Sequence, residues 1–225
     1  ITTSKRKRTL IMTSTPDPYF GRSEVSNSDL TWLRNYNLPD EDQVFKERAY
    51  KFGTLIDAIV TEPFKVDYFN FRVEELQYSE EDFEKAIEMK KAFYKDPLAN
   101  HILKQSDMQK VMIKKRSFKY DEIDFELPVR CKWDLWMDGL RWGGDLKSTT
   151  ATTQKQFEEA IRYFDYDRQR AWYMDIAGSD QDILIGVSKV NFKVFKVPIR
   201  RGDELYEAGF KKYNELAFKW WALFE

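Results

Sequence analysis

Side chains of alternating polar and apolar character stand on both sides of a short link at 138–140. Two such runs around a glycine-containing link predict a β-hairpin. A type II′ turn that begins at Gly139 places Asp134 directly opposite Asp145, whereas a type I′ turn that begins at Asp138 makes these aspartates diagonal neighbours. Both registers leave the two carboxylates on one face of the hairpin, because side chains alternate with period two.

The same alternation divides the rest of the hairpin between two faces. Lys147 follows Asp145 by two residues and therefore joins the face of the aspartates. Trp133, Leu135 and Leu146 point to the other face, which we interpret as core.

The remaining elements follow from hydrophobic periodicity, helix caps, and glycine or proline breaks. One predicted helix follows the cap at Ser26 and ends near residue 36, and the stretch 64–77 is irregular with at most one strand. The other predicted helices cover 42–62, 80–94, 98–103, 154–164, 167–177 and a last stretch from 203, and the predicted strands cover 108–120, 123–137 with an interruption at Pro128, 183–188 and 192–199. This order predicts one α/β domain over 23–225, with a mixed central sheet, helices on both sides and the site at one sheet edge.

Composition narrows the class of protein. A chain of 225 residues with 42% hydrophobic content is long enough for one full core. The single cysteine, Cys131, excludes an internal disulfide and a four-cysteine iron–sulfur cluster. No apolar run approaches the roughly 20 residues of a membrane span, so we expect a cytoplasmic protein.

The paired aspartates are the first sign of chemistry. Like charges on neighbouring strands repel each other, and a divalent cation would reverse the sign of that interaction. Mg²⁺ takes one or two carboxylates together with water and phosphate oxygens. A lysine beside such a metal could orient or deprotonate an attacking water. The alternative interpretation is a solvated hairpin of mixed charge, since Asp-x-Lys tripeptides are common.

A family resemblance favours the metal site. Trp-Asp at 133–134 and Gly-Asp-Leu-Lys-Ser-Thr-Thr at 144–150 resemble the metal-binding core of the PD-(D/E)XK nuclease superfamily. Further segments resemble, in order, its RecE-type and lambda-exonuclease-like branch: Ser-x-Ser-x-Leu at 26–30, Gly-Thr followed by Glu-Pro at 53–63, and Gln-x-x-x-Tyr at 169–173. Trp133 stands where the superfamily has a proline.

The resemblance implies a restriction-endonuclease-like core and a Mg²⁺- or Mn²⁺-dependent deoxyribonuclease, specifically a double-strand 5′→3′ exonuclease of phage or prophage recombination. Asp134, Asp145 and Lys147 are then the catalytic residues, and Gln169, Tyr173 and Thr149 contact DNA. The implied partners are DNA and a single-strand annealing protein, with assembly into a homo-oligomer. The net charge of -1 does not argue strongly against DNA as a partner, because a nuclease needs only a local positive groove.

The pattern offers more than one candidate for the third metal ligand. Asp57 interrupts an apolar helical run, so its carboxylate should have a partner. It stands where RecE-type enzymes usually have histidine, and with Asp134 and Asp145 it would complete an all-oxygen set suited to Mg²⁺ or Mn²⁺. The alternatives are a helix-surface aspartate without a role, and Glu62 as the ligand. Gly53, one turn before Asp57, leaves space for a neighbour.

The N-terminal stretch and the departure at Asp57 each allow two interpretations. Residues 1–22, with basic residues at 5–8, are either a flexible tail or an arm that tracks DNA phosphates. The departure at Asp57 also permits a non-catalytic DNA-binding or assembly protein that retains a nuclease fold. His101, the only histidine, has no nucleophile motif beside it, so we interpret it as a structural or surface residue.

Overall fold

The computed structural model describes residues 19–36 and 43–225, with residues 43–46 described by their backbone alone. Helices α1–α7 span Asn27–Asn35, Gln43–Thr61, Glu80–Lys95, Pro97–Gln105, Gln154–Tyr163, Tyr166–Ala177 and Glu204–Phe224. Strands β1–β8 span Val66–Asp67, Arg72–Val73, Leu76–Gln77, Asp107–Tyr120, Ile123–Met137, Trp142–Thr149, Gln181–Ser188 and Val194–Arg200. The predicted helices and long strands are confirmed. The stretch 64–77 holds three short strands rather than at most one.

The sheet has the mixed topology that the sequence predicts. Its five strands follow the order β4-β5-β6-β7-β8. Only the β6–β7 pair is parallel, and the other neighbours are antiparallel. Strands β1–β3 form a separate small antiparallel sheet. The α/β class with helices on both sides of a mixed sheet is therefore confirmed.

Each face of the large sheet carries its own hydrophobic core. One core packs α1, α5, α6 and α7 against residues such as Trp133 and Leu184. The other packs α2, α3 and α4 against residues such as Leu135, Leu146 and Ile185. Trp133 and Leu135 thus lie on opposite faces, and the prediction that they share one face is wrong.

The reversal of faces happens at Asp134. The pairing of β4 with β5 joins Met108 to Leu135 and Lys110 to Trp133, and it skips the pair between them. The skipped residue of β4, Gln109, has a left-handed backbone with φ 56°. Across this kink the alternation of β5 changes: Cys131 and Trp133 lie in the first core, whereas Leu135 and Met137 lie in the second.

Helix starts follow their capping residues. Ser26 and Asp29 form a reciprocal capping box at α1. The side chains of Ser79, Asp96 and Asp203 accept backbone N–H groups at the starts of α3, α4 and α7. These side-chain acceptors satisfy amide donors that have no partner within a helix, which is why the predicted boundaries lie close to the observed ones.

Strand β5 continues through Pro128 without interruption, contrary to the prediction. The carbonyl of Pro128 accepts the N–H of Val25, and the N–H of Arg130 donates to the carbonyl of Val25. The backbone of Pro128 therefore faces away from β4. Its missing N–H removes no bond of the β4–β5 ladder.

The N-terminal part of the described chain is packed. Tyr19 is buried, and the guanidinium of Arg130 lies 4.9 Å from its ring. The packed domain therefore already includes Tyr19, although the arm was predicted to extend to residue 22. The basic residues at 5–8 lie outside the described residues. No helix within the described ranges is long and apolar enough to cross a membrane.

Candidate active site

The candidate site lies where strands β5 and β6 separate. Their pairing covers only Leu135–Met137 with Trp142–Gly144, and beyond Gly144 strand β6 pairs with β7. The register is the one in which Asp134 and Asp145 are opposite. The connection is a four-residue loop in which Arg141 has φ 54°, so neither predicted two-residue turn is present. The site is therefore on the second and third strands of the sheet rather than at its edge.

Backbone crowding beside the site explains its glycine pair. A Cβ atom at Gly143 would lie 2.1 Å from the carbonyl oxygen of Leu135, and one at Gly144 would lie 2.9 Å from the side chain of Ile183. Only glycine allows β5 and β7 to approach β6 this closely. Just past this point, the carboxylate of Asp134 accepts the N–H of Leu146 at 2.8 Å and bridges the separating strands.

Asp145 is held by two cations. Its Oδ2 lies 2.5 Å from Nζ of Lys147, and its Oδ1 accepts Nη1 of Arg170 at 2.7 Å. Arg170 also donates through Nε to Asp182 at 2.6 Å. The Arg170 guanidinium lies within 4.6 Å of the ring centroids of Trp133 and Tyr173, which cover it. Asp145 therefore has a fixed orientation in a buried ion network.

Asp57 has partners, as the sequence argument required. Nε2 of Gln109 lies 3.2 Å from both carboxylate oxygens, and Thr61 donates to Oδ1 at 3.1 Å. The left-handed conformation of Gln109 aims its side chain from β4 towards α2. Among the described residues, no atom lies within 4 Å of where a Cβ of Gly53 would be, so this part of the chain shows no close approach there.

Electrostatic interactions link these side chains. Burial raises the pKa of Asp134 well above its ordinary value, and the nearby carboxylates of Asp57 and Asp145 raise it further. Burial likewise raises the pKa of Asp57 to about 6, against the opposing hydrogen bond from Thr61. Burial lowers the pKa of Lys147, but Asp145 and Asp134 more than offset this and hold that pKa above its ordinary value. Lys147 is therefore an ammonium ion at neutral pH.

The donor set suits a hard cation with few protein ligands. Among the described residues, no three His, Cys, Asp or Glu side chains are grouped closely enough to hold a metal ion. A complete three-carboxylate cage is therefore not formed in this arrangement. Mg²⁺, however, is commonly bound by one or two carboxylates with water and phosphate oxygens. Asp134 and Asp145 fit that requirement, and the role of Asp57 as third ligand stays a prediction.

The predicted DNA-contacting residues differ in their burial and in their contacts. Tyr173 is buried beside Arg170, and Gln169 is half-buried one turn earlier on α6. Thr149 is buried, and its hydroxyl oxygen accepts the N–H of Ala151 at 3.1 Å. Glu62 is ion-paired with Lys65 at 2.9 Å. Whether any of them binds DNA or metal stays a prediction.

The sequence argument missed Arg170 and Asp182. Arginine and aspartate are usually exposed, and neither residue belongs to the motif that drew attention to α6. A signal was present nevertheless, because Arg170 lies between two helix positions already assigned to the site. Asp182 is the second residue of the parallel strand β7 and stands two positions before Leu184, which is the register partner of Asp145.

Comparisons with known proteins find distant similarity in structure alone. No protein-family model matches the chain, and no curated protein matches it by sequence. One solved structure, a phage-related exonuclease from Haemophilus somnus 129PT, is 14% identical, with a TM-score of 0.39 over 87% of this chain and 96% of that one. Another, SSO0001, is 7% identical with a TM-score of 0.35, and its match covers 51% of this chain and half (50%) of its own length. Similarity at this level assigns neither a family nor an activity.

Proposed function

We propose that this chain is a metal-dependent deoxyribonuclease that hydrolyses phosphodiester bonds. The observation that carries the proposal is the arrangement of Asp134, Asp145 and Lys147 where β5 and β6 separate, with the carboxylate of Asp57 close enough to raise the pKa of Asp134. Carboxylates crowded in this way favour a cation, and a lysine beside them suits a reaction that builds negative charge.

The side chains have separate tasks in this reaction. Asp134 and Asp145 would hold Mg²⁺ or Mn²⁺, which when bound makes water more acidic and offsets charge on a phosphoryl oxygen. Water attacks the phosphorus atom and releases a proton to solvent, the bond to the leaving oxygen breaks, and that oxygen takes up a proton from solvent. Lys147 is already protonated, so it cannot accept the proton of the water. Its ammonium group instead orients the water's oxygen and stabilises the charge that develops on the phosphate.

The finer assignment rests on the sequence resemblance. A double-strand 5′→3′ exonuclease of phage or prophage recombination is the activity that the RecE-type and lambda-exonuclease-like segments imply. The same resemblance implies an annealing-protein partner and assembly into a homo-oligomer, and a cytoplasmic location is a further expectation. We retain them as predictions.

Cleavage assays test the proposal directly. End-labelled linear DNA should be degraded with Mg²⁺ or Mn²⁺ and left intact with EDTA, and circular DNA should resist if the enzyme needs an end. Asp145→Asn and Lys147→Ala should each lower the rate at least about a hundredfold, the scale of one lost transition-state contact. Lys91→Ala is the matched control, because Lys91 is exposed on α3 and pairs with Glu88 at the surface. Full activity of either site variant would exclude this site.

One observation favours a second candidate, a non-catalytic DNA-binding or assembly protein. Arg170 and Lys147 already neutralise Asp145 within the chain, so the fold does not need a metal to balance that carboxylate. The same assays separate the two functions. Retention of DNA on a gel without loss of label in Mg²⁺ and in Mn²⁺ would support the second candidate.

A further inference from the structure

Three aromatic rings run in contact from the candidate lysine to the surface. The Tyr166 ring lies 5.0 Å from Nζ of Lys147. The Phe164 ring stacks on Tyr166 at 5.6 Å with an interplanar angle of 26°. Tyr163 meets Phe164 edge-on at 4.8 Å. We call these three residues the aromatic ladder.

The outer end of the ladder is exposed to solvent. Tyr163 is 80% exposed and Phe164 is 54% exposed, whereas aromatic side chains ordinarily bury most of their area in a core. The two exposed rings touch each other, so they form one continuous apolar surface. Exposed ring faces of this kind are available for a planar ligand to stack on.

A left-handed residue positions the rings. Asp165, between Phe164 and Tyr166, has a left-handed backbone with φ 55°. Its carboxylate is held by Arg34 and by Nζ of Lys212, the latter at 2.9 Å. Aspartate is among the non-glycine residues that adopt this conformation most readily, and these ion pairs hold it in place. Here it brings two rings that are two residues apart into a stack.

We propose that the aromatic ladder is a stacking platform for the unpaired bases of single-stranded DNA. The inference rests on the proposed function, because the strand bound there would be the one whose phosphate reaches Lys147. Bases stack on exposed aromatic rings irrespective of sequence, since every base has a π face. The guanidinium of Arg34 and the ammonium of Lys212, both part-exposed beside Asp165, supply positive charge for the backbone of the strand.

The geometry favours a nucleic-acid strand over a protein partner. A stable protein interface buries about 800 Å² on each side, which is more than two exposed rings provide. A base needs only one exposed ring to stack on, and Phe164 and Tyr163 each present one. The ladder also leads to the residues that would act on a phosphodiester, so one strand can occupy both places.

Binding measured without cleavage tests the platform. The probe is a single-stranded DNA oligonucleotide of about twelve nucleotides, within the range that one binding groove holds, with 2-aminopurine at successive positions. In EDTA, stacking on the ladder should quench the fluorescence of at least one position. Phe164→Ala and Tyr163→Ala should each weaken binding about tenfold and relieve the quenching. Phe164→Trp should keep both, because it preserves a ring, whereas Phe164→Leu should behave as the alanine variant.

The matched control is Tyr94→Ala. It removes a 40% exposed tyrosine from α3, on the opposite face of the sheet, and should leave binding unchanged. Wild-type binding by Phe164→Leu, or equal weakening by Tyr94→Ala, would overturn the proposal, as would tighter binding of a matched RNA. Since no hydrolysis is needed, quenching without nuclease activity would support the platform while rejecting the proposed function.

Discussion

At the scale of single residues, the most informative side chain is Arg170. It is fully buried, and its guanidinium pairs with the candidate ligand Asp145 and with Asp182. Burying two carboxylates is costly, and a guanidinium that bonds to both reduces that cost. The arginine therefore lets the chain carry closely spaced aspartates inside a folded domain.

This leads to a prediction about stability. Arg170→Met leaves Asp145 and Asp182 without their shared cation and should lower the free energy of unfolding by about 3–5 kcal/mol. Arg162→Met is the matched control, because Arg162 forms one exposed pair with Glu204 and should contribute at most about 1 kcal/mol. Urea denaturation of both variants measures the difference. Equal effects would show that the buried network does not stabilise the fold.

At the scale of elements, α6 and α7 are held together at a glycine. A Cβ atom at Gly209 of α7 would lie 2.2 Å from the backbone carbonyl oxygen of Asp167 in α6. A backbone atom cannot move aside as the end of a flexible side chain can. The crossing of these helices, which places α6 against the candidate site, therefore depends on the absence of a side chain at this position.

Two glycine substitutions should have opposite signs. Gly209→Ala forces α7 away from α6 and should destabilise the protein by about 1–3 kcal/mol, the range for overpacking. Gly53→Ala meets open space within α2 and should stabilise by about 0.5–1 kcal/mol, because alanine favours helix. Thermal denaturation compares the two. A stabilised Gly209→Ala protein would mean that α6 and α7 are not packed this closely.

Elements were predictable from the sequence where local rules decide them. Helix α3 begins directly after the capping residue Ser79, and β4 ends where Asp121 and Glu122 turn the chain, so the bounds of both elements follow from neighbouring residues. The kink at Asp134 was not predictable, because it depends on Gln109 of another strand, far away in sequence. The separation of β5 from β6 likewise requires β7, whose parallel pairing is a tertiary event.

At the scale of the whole molecule, the candidate site is a balance of charges collected from distant segments. The sequence placed Asp134, Asp145 and Lys147 together because one hairpin carries them. Arg170 and Asp182 joined them only through the packing of α6 and β7 on that hairpin. Hydrophobic periodicity predicts which helices pack on the sheet but not which charged residue each one inserts.

This balance predicts how stability changes with pH when the protein contains no metal. The folded-state pKa of Asp57 is about 6, and burial also raises the pKa of Asp134 above its ordinary value. A carboxyl group in an unfolded chain has a pKa of about 4. Between about pH 4 and pH 6 the folded state therefore binds more protons than the unfolded state, and stability falls as pH rises through this window.

The expected result is a higher melting temperature at pH 5 than at pH 7 in EDTA, and a smaller difference in Asp57→Asn, whose amide does not titrate. At pH 7, Asp57→Asn without metal should be more stable than the wild type, because one buried charge is removed from the cluster.

Mn²⁺ should raise the wild-type melting temperature at pH 7, since an ion that binds only the folded state stabilises it by mass action. The Asp57→Asn protein should gain less from Mn²⁺ if Asp57 is a ligand. An equal gain would remove Asp57 from the ligand set, and a wild-type protein that is less stable at pH 5 than at pH 7 in EDTA would contradict the charge balance itself.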